Sequence, residues 1–283
     1  MARLIHLSDL HFGAHDPRLV AAVEQRVHDE QPDLVVISGD FTQRAKTEQF
    51  DEACQFLGRL RDAGHEVLAV PGNHDVPLYD VLRRFLSPLT RYKRYIDDEL
   101  CPFHALPDAA VLGINTARSL TFKNGHVSHE QMQFIRDSFA GTDPHQPRIL
   151  VTHHPLFALP IGEGPELGHL MDDQTSALEA IADAGVDLLL AGHNHRASVN
   201  DATKLARGAG KSLVIQAGTA TSTRTRDENQ SFNRIEIDQS GCRVTIIRWD
   251  GAAFVTGDSE WFERHGDQWE LASGEKVEQA PVQ

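Results

Sequence analysis

No run of apolar residues in this chain approaches the ~20 needed to cross the hydrocarbon core of a bilayer, so a transmembrane helix is not expected. Cysteine is scarce. Cys54, Cys101 and Cys242 are an odd number at wide spacing, which fits neither a disulfide framework nor a Cys-x-x-Cys metal site and leaves them as core thiols. Basic charge is also short, with 27 Lys and Arg against 41 Asp and Glu, for a net charge of −14. Such a surface repels a long polyanion, so extensive nucleic-acid binding is not expected. The opening Met1-Ala2-Arg3-Leu4 enters a strand without an apolar leader, and the expected location is cytoplasmic.

Histidine is what the chain has in excess, 16 in 283 residues. Six of these fall in clusters that follow short apolar runs reading as buried strands. Leu4 to Ser8 leads into Asp9-Leu10-His11, and Leu34 to Ser38 into Gly39-Asp40. Glu66 to Val70 leads through Pro71 and Gly72 into Asn73-His74-Asp75, Ile149 to Thr152 into His153-His154-Pro155, and Val186 to Ala191 into Gly192-His193-Asn194-His195. Each cluster alone is an ordinary turn. Together they place Asp9, His11, Asp40, Asn73, His153, His193 and His195 at one edge of a sheet, where open α/β folds put their ligand sites. Period-two alternation is expected to put Asp9 with His11, and His193 with His195, on the same side of extended backbone. Pro155 forces an extended predecessor, so His153 and His154 are expected to point to different sides.

Between the strands, 18–29, 47–63, 128–139 and 173–184 read as amphipathic helices, with Ser128 and Gln131 forming a capping box. Strand–helix alternation predicts a layered α/β fold. Residues 1–250 are read as one catalytic domain, since any earlier boundary would split the cluster, and 251–283 as a strand extension with a loose tail beyond Gly274. Residues 78–100 read as helical, within a segment 76–105 that is either a solvated face or a cap over the site. Asn115 opens a loop bordering the same cavity, and 160–168 is a Gly/Pro-rich loop. The Thr- and Arg-rich stretch 218–226 reads as a lip. The segments 213–216, 232–237 and 242–249 read as antiparallel strands closing a second sheet.

Carboxylate, carboxamide and imidazole without thiolate suit Mn, Fe, Zn or Co. Seven candidates exceed what one ion takes while leaving room for substrate, so two divalent ions are expected, with a shared Asp, a water activated between them and an in-line displacement at phosphorus.

The ordered set Asp9/His11, Gly39/Asp40, Gly72/Asn73/His74/Asp75, His153 and Gly192/His193/His195 resembles the calcineurin-like metallophosphoesterases, over residues 4 to about 240. Within that family it looks like the class III cyclic-nucleotide and glycerophosphodiester phosphodiesterases. The resemblance implies a four-layer αββα sandwich of two mixed sheets flanked by helices. It implies one metal on Asp9, His11, Asp40 and His195, and another on Asp40, Asn73, His153 and His193. His74 is then the catalytic histidine, stabilising charge and protonating the leaving oxygen, with Asp75 orienting it through its other nitrogen. His154, Asn115 and Arg224 are read as substrate contacts. The implied function is hydrolysis of a small phosphodiester by a metal-bridging hydroxide. A phosphomonoesterase or nuclease on the same site and a non-catalytic scaffold of the same fold are the alternatives, and a homodimer is the expected assembly.

Overall fold

The computed structural model describes residues 1–120, 124–156, 174–201, 212–223, 228–266 and 268–272. Three parallel strands, β1 (Ala2–Leu7), β2 (Leu34–Ile37) and β3 (Val67–Ala69), form one half of a first sheet. Its other half is antiparallel: β10 (Ser231–Ile237) lies beside β1 and is followed by β11 (Gly241–Trp249), β12 (Phe254–His265) and β13 (Gln268–Leu271). The seven strands run in the order β13-β12-β11-β10-β1-β2-β3.

The second sheet has six strands: β4 (Phe103–Ala105), β5 (Ala110–Gly113), β6 (Arg148–Val151), β7 (Leu188–Ala191), β9 (Leu213–Gln216) and β8 (Ser198–Asp201), in that spatial order. Strands β5, β6, β7 and β9 are parallel, and β4 and β8 pair antiparallel on the two edges.

The sequence expectation for 232–237 and 242–249 is corrected here. They are antiparallel, but they widen the first sheet, because Ile235 and Ile237 pair with Leu4 and Ala2 and are buried. Segment 213–216 alone joins the second sheet, where it runs parallel to β7.

Alternate residues of the central strands enter different cores, which is why those strands read as unbroken apolar runs. Leu4, Leu34, Val36, Ile149, Leu188 and Leu190 meet in one core between the sheets. Ile5, Val35 and Ile37 face outward onto helices α1 (Pro17–Glu30) and α2 (Thr47–Asp62), where Val23, Phe50 and Phe56 await them. On the far side Leu112, Leu150 and Leu189 pack on α5 (His129–Ala140) and α6 (Gln174–Asp183) through Met132, Ile135 and Ile181. The order helix, sheet, sheet, helix is the four-layer sandwich.

The expected capping box is present: Ser128 Oγ accepts from Gln131 N–H and Gln131 Oε1 accepts from Ser128 N–H. The 78–100 stretch is not one helix. It is two short ones, α3 (Val81–Leu86) and α4 (Thr90–Tyr95), broken at Ser87-Pro88, since proline excludes helical backbone before it and lacks the N–H to continue. Helix α4 is part of the core, with Tyr92 wholly buried against Phe41. Of the three thiols only Cys242 is fully buried. The loop 160–168 and the tail beyond Gly274 lie outside the described residues. Among the described residues no helix is long and apolar enough to cross a membrane.

Candidate metal centre

The strands that end in polar clusters are parallel neighbours: β1, β2 and β3 in one sheet, β6 and β7 in the other. Their carboxyl ends meet at one edge of the sandwich, and two groups of side chains form there. In the first, His195 Nε2 lies 3.1 Å from Asp9 Oδ1 and 3.1 Å from His11 Nε2, and His11 Nε2 lies 3.7 Å from Asp40 Oδ2. In the second, Asn73 Oδ1 lies 3.1 Å from both His153 Nε2 and His193 Nδ1, and His153 Nε2 lies 3.4 Å from Asp40 Oδ1. Asp40 is common to both, one carboxylate oxygen turned to each.

The backbone that achieves this is left-handed and not extended. Asp9, His11, Asp40, His193 and His195 have φ of 53°, 50°, 54°, 72° and 57°. The expected period-two chelates are thereby corrected: Asp9 and His11 converge on one donor group through two left-handed residues, whereas His193 and His195, also left-handed, turn to different groups, at roughly 1–2 kcal/mol per residue. Neighbours hold these turns. Thr219 Oγ1 donates to the Asp9 carbonyl and Thr221 Oγ1 to the Leu10 carbonyl, both at 2.7 Å. These two buried threonines come from the stretch read as a lip; they are a brace beneath the first loop. Asp9 Oδ2 accepts from Ser8 Oγ and from the His193 N–H, tying the two sheets together.

Charge and burial set the protonation states. Burial alone would raise Asp9 and Asp40, but the surrounding imidazoles hold both well below the usual carboxylate range. Burial depresses His11, and burial together with the charge of His153 takes His193 down to about 3. Burial likewise pushes His154 far down. His153 differs: burial opposes its charge, yet Asp40, with help from Asp9 and the Ser38 carbonyl, lifts it to about 9.

Ionised carboxylates beside imidazoles are the donor set for a divalent cation, and His153, the one imidazole whose pKa is raised, would give up its proton as an ion binds. The described ion pairs of Asp9 and Asp40 are all with imidazoles, and Asp9 Oδ1 has no hydrogen-bond donor of its own. A ring nitrogen or carboxylate oxygen from each of Asp9, His11 and His195 falls within 4.8 Å of the others, as does one from each of Asp9, Asp40 and His153. These residues fit divalent cations.

The remaining expected residues are placed as follows. His74 is half-buried, 4.9 Å from the His11 ring, and its Nδ1–H donates to the Gln43 carbonyl at 2.8 Å, leaving Nε2 as the exchangeable nitrogen. Asp75 does not orient that ring, contrary to expectation. Its carboxylate accepts the N–H groups of Phe41, Thr42 and Gly72, pinning the loops after β2 and β3 together, and its pKa rises to about 6 from burial and the charge of Asp40. Asn115 turns its Oδ1 to the Ala117 N–H, closing a local turn, so its carboxamide oxygen is committed there. His153 and His154 hang from different anchors, Ser38 and Thr116, but their rings stay 4.9 Å apart. Arg224 lies outside the described residues. Sequence reasoning missed Ser38, Gln43, Thr116, Thr219 and Thr221, because a hydroxyl or carbonyl that braces a distant loop leaves no local pattern.

The family model described as calcineurin-like phosphoesterase matches residues 2–197. The glycerophosphodiester phosphodiesterase GpdQ of Enterobacter lignolyticus is 24% identical over 212 residues, covering 68% of this chain and 70% of that protein. The UDP-2,3-diacylglucosamine pyrophosphatase LpxG of Chlamydia muridarum is 35% identical over 78 residues, 27% of this chain and 23% of that protein. Among solved structures, a dimetal phosphatase from Danio rerio superposes with a TM-score of 0.62 at 14% identity, covering 90% of this chain and 98% of that one. The purple acid phosphatase PPD1 of yellow lupin gives 0.71 at 14% identity, covering 100% of this chain and 56% of that one.

Proposed function

The chain belongs to the calcineurin-like phosphoesterase family, and from that premise we propose that it hydrolyses a small phosphodiester at a dinuclear metal centre. The observation that carries this reading is the meeting of two donor groups at a single carboxylate, Asp40. Asp9, His11, Asp40 and His195 would hold one divalent ion, and Asp40, Asn73, His153 and His193 the other, with Mn, Fe, Zn and Co the ions that suit those donors. When bound, such ions supply Lewis acidity toward phosphoryl oxygens and lower the pKa of water at the site.

The chain's own residues do the rest. The left-handed loops fix the donors before substrate arrives, so that little reorganisation accompanies the reaction. His74, its Nδ1–H committed to the Gln43 carbonyl, offers Nε2 for proton transfer to the departing alkoxide. Asp75 keeps the Asp40 and Asn73 loops in register through backbone N–H groups. The similarity to a glycerophosphodiester phosphodiesterase supports a diester over a monoester substrate.

The test uses purified protein with added Mn, bis(p-nitrophenyl) phosphate and the corresponding monoester. Diester hydrolysis that a chelator abolishes and Mn restores is expected. A strong preference for the monoester overturns the diester assignment, and turnover that survives thorough metal removal overturns the mechanism.

A further inference from the structure

Two adjacent, wholly buried histidines are anchored in opposite ways. His153 Nδ1 lies 2.7 Å from the Ser38 carbonyl. A carbonyl only accepts, so Nδ1 carries a proton, and Nε2 is the nitrogen that faces Asn73 Oδ1 and Asp40 Oδ1 and would be free to hold a cation once deprotonated. His154 Nδ1 lies instead 2.8 Å from the Thr116 hydroxyl. A hydroxyl can donate or accept, so the direction depends on where its own proton goes. Thr116 is buried, and the other contact of its oxygen is the backbone N–H of His154 at 3.4 Å, which is itself a donor. The acceptor within reach of the Thr116 proton is therefore His154 Nδ1, and leaving that proton buried and unpaired would cost roughly 1–3 kcal/mol. Thr116 donates, Nδ1 accepts, and the proton of the neutral imidazole is on Nε2.

That Nε2 is buried and has no hydrogen-bond partner. The His154 ring stands 4.9 Å from the rings of both His153 and His193. Its position is closed from the other side by Gly125, where a Cβ would come within 2.6–2.9 Å of the Cβ, Cγ and Nδ1 of His154. A satisfied core histidine would have a partner at each nitrogen; this one is built with a donor unspent. Nitrogen spacing alone would admit His154 as a third imidazole ligand beside His153 and His193, but a protonated nitrogen has no lone pair to give a cation.

We propose that His154 is a hydrogen-bond donor to a phosphoryl oxygen of the substrate and not a metal ligand, and that Thr116 and Gly125 are positioning residues that set its tautomer and its place. This rests on the phosphoester-hydrolase reading above and names the group that would contact the anion.

The experiment compares Zn-loaded wild type with Thr116→Val, Thr116→Ser, His154→Phe and His154→Gln. Ring 15N shifts are expected to show His154 protonated at Nε2 in the wild type and in Thr116→Ser, with that single tautomer giving way to a mixture in Thr116→Val. All variants should retain the wild-type metal stoichiometry. Calorimetric affinity for inorganic phosphate should fall about tenfold in His154→Phe, and kcat on the diester by on the order of 100-fold, while Thr116→Ser and, in part, His154→Gln recover both. Should His154→Phe not fold, Thr116→Val against Thr116→Ser carries the same comparison. Loss of a metal equivalent in the His154 variants would make His154 a ligand and overturn the proposal. So would a wild-type ring protonated at Nδ1, or unchanged phosphate affinity in a metal-replete His154→Phe. Failure of the wild type to cleave any phosphoester would sink the functional reading, while the tautomer and phosphate-affinity results would still judge the role of His154.

Discussion

His74 lies in the loop after β3 and His6 inside β1, and their surroundings give these two histidines opposite duties. His74 is half-buried with its Nδ1–H committed to the Gln43 carbonyl, and its links to the carboxylates run through its backbone, the N–H to Asp40 Oδ1 and the carbonyl through Thr42 Oγ1 to Asp75. His74→Ala should therefore keep wild-type metal content by elemental analysis while kcat falls 10²–10⁴-fold, the range for a general acid; loss of metal would move His74 into the ligand set. His6, by contrast, is wholly buried in β1, holds Ser38 Oγ at 2.9 Å and has no partner for Nδ1. Burial takes its pKa from 6.5 down to about 3. The folded state thus keeps His6 neutral while the unfolded chain takes up a proton below pH 6.5, so stability is full above that pH and is lost as pH falls toward 3. At pH 5 this one residue should cost about 2 kcal/mol relative to neutral pH. Denaturant titrations of wild type and His6→Gln at pH 5 and 7.5 check this, since only the wild type carries that portion of the pH slope.

At the level of loops and strands, glycine decides whether the donors can meet. A Cβ on Gly72 would stand 2.1 Å from Asp40 Oδ1 and 2.3 Å from the Asp40 backbone nitrogen, and one on Gly192 would stand 1.8 Å from Ser8 Oγ. Alanine at either position must push apart two loops that carry proposed ligands. Gly72→Ala and Gly192→Ala should each weaken Mn binding at least tenfold by calorimetry and destabilise by about 1–3 kcal/mol. Gly58, in the interior of α2, is the control, because a Cβ added there would meet nothing within 4 Å. Gly58→Ala should gain up to about 1 kcal/mol and leave Mn affinity alone. The elements were legible in the sequence wherever apolar periodicity or a cap wrote them, as in α1, α2 and the Ser128 box of α5. The exceptions have physical causes. Pro88 splits the 78–100 stretch in two, and the left-handed turns at Asp9, His11, His193 and His195 replace the extended chelates that alternation implied. Side-chain spacing reveals a strand, but not the point where backbone leaves it.

Across the whole molecule the side chains that cluster at this edge were readable because each closely follows a buried strand, whereas their braces were not. Nothing near Thr219 or Thr221 in sequence points to Asp9 and Leu10, more than 200 residues away. Nor does an apolar strand reveal which sheet it joins, and β10 and β11 widen the first sheet where their place in the chain suggested the second. The same long-range construction would make a bound metal a ligand of the whole fold. The two sheets are joined at this edge by Asp9 accepting from His193 N–H and by His153 donating to Ser38, with five donors on strained backbone around them. In a chain of net charge −14, cations held by these donors would neutralise buried carboxylates contributed by the first sheet beside imidazoles contributed by the second. Binding to the folded state alone adds RT ln(1 + [L]/Kd), about 2.7 kcal/mol per site at 100 times Kd. Metal-depleted protein should accordingly melt several degrees lower than protein with excess Mn. His74→Ala should keep that shift in full, because it leaves both donor groups intact. Asp40→Asn should lose most of it, because it strikes the carboxylate common to both groups; a full shift in Asp40→Asn would mean that the metals bind elsewhere.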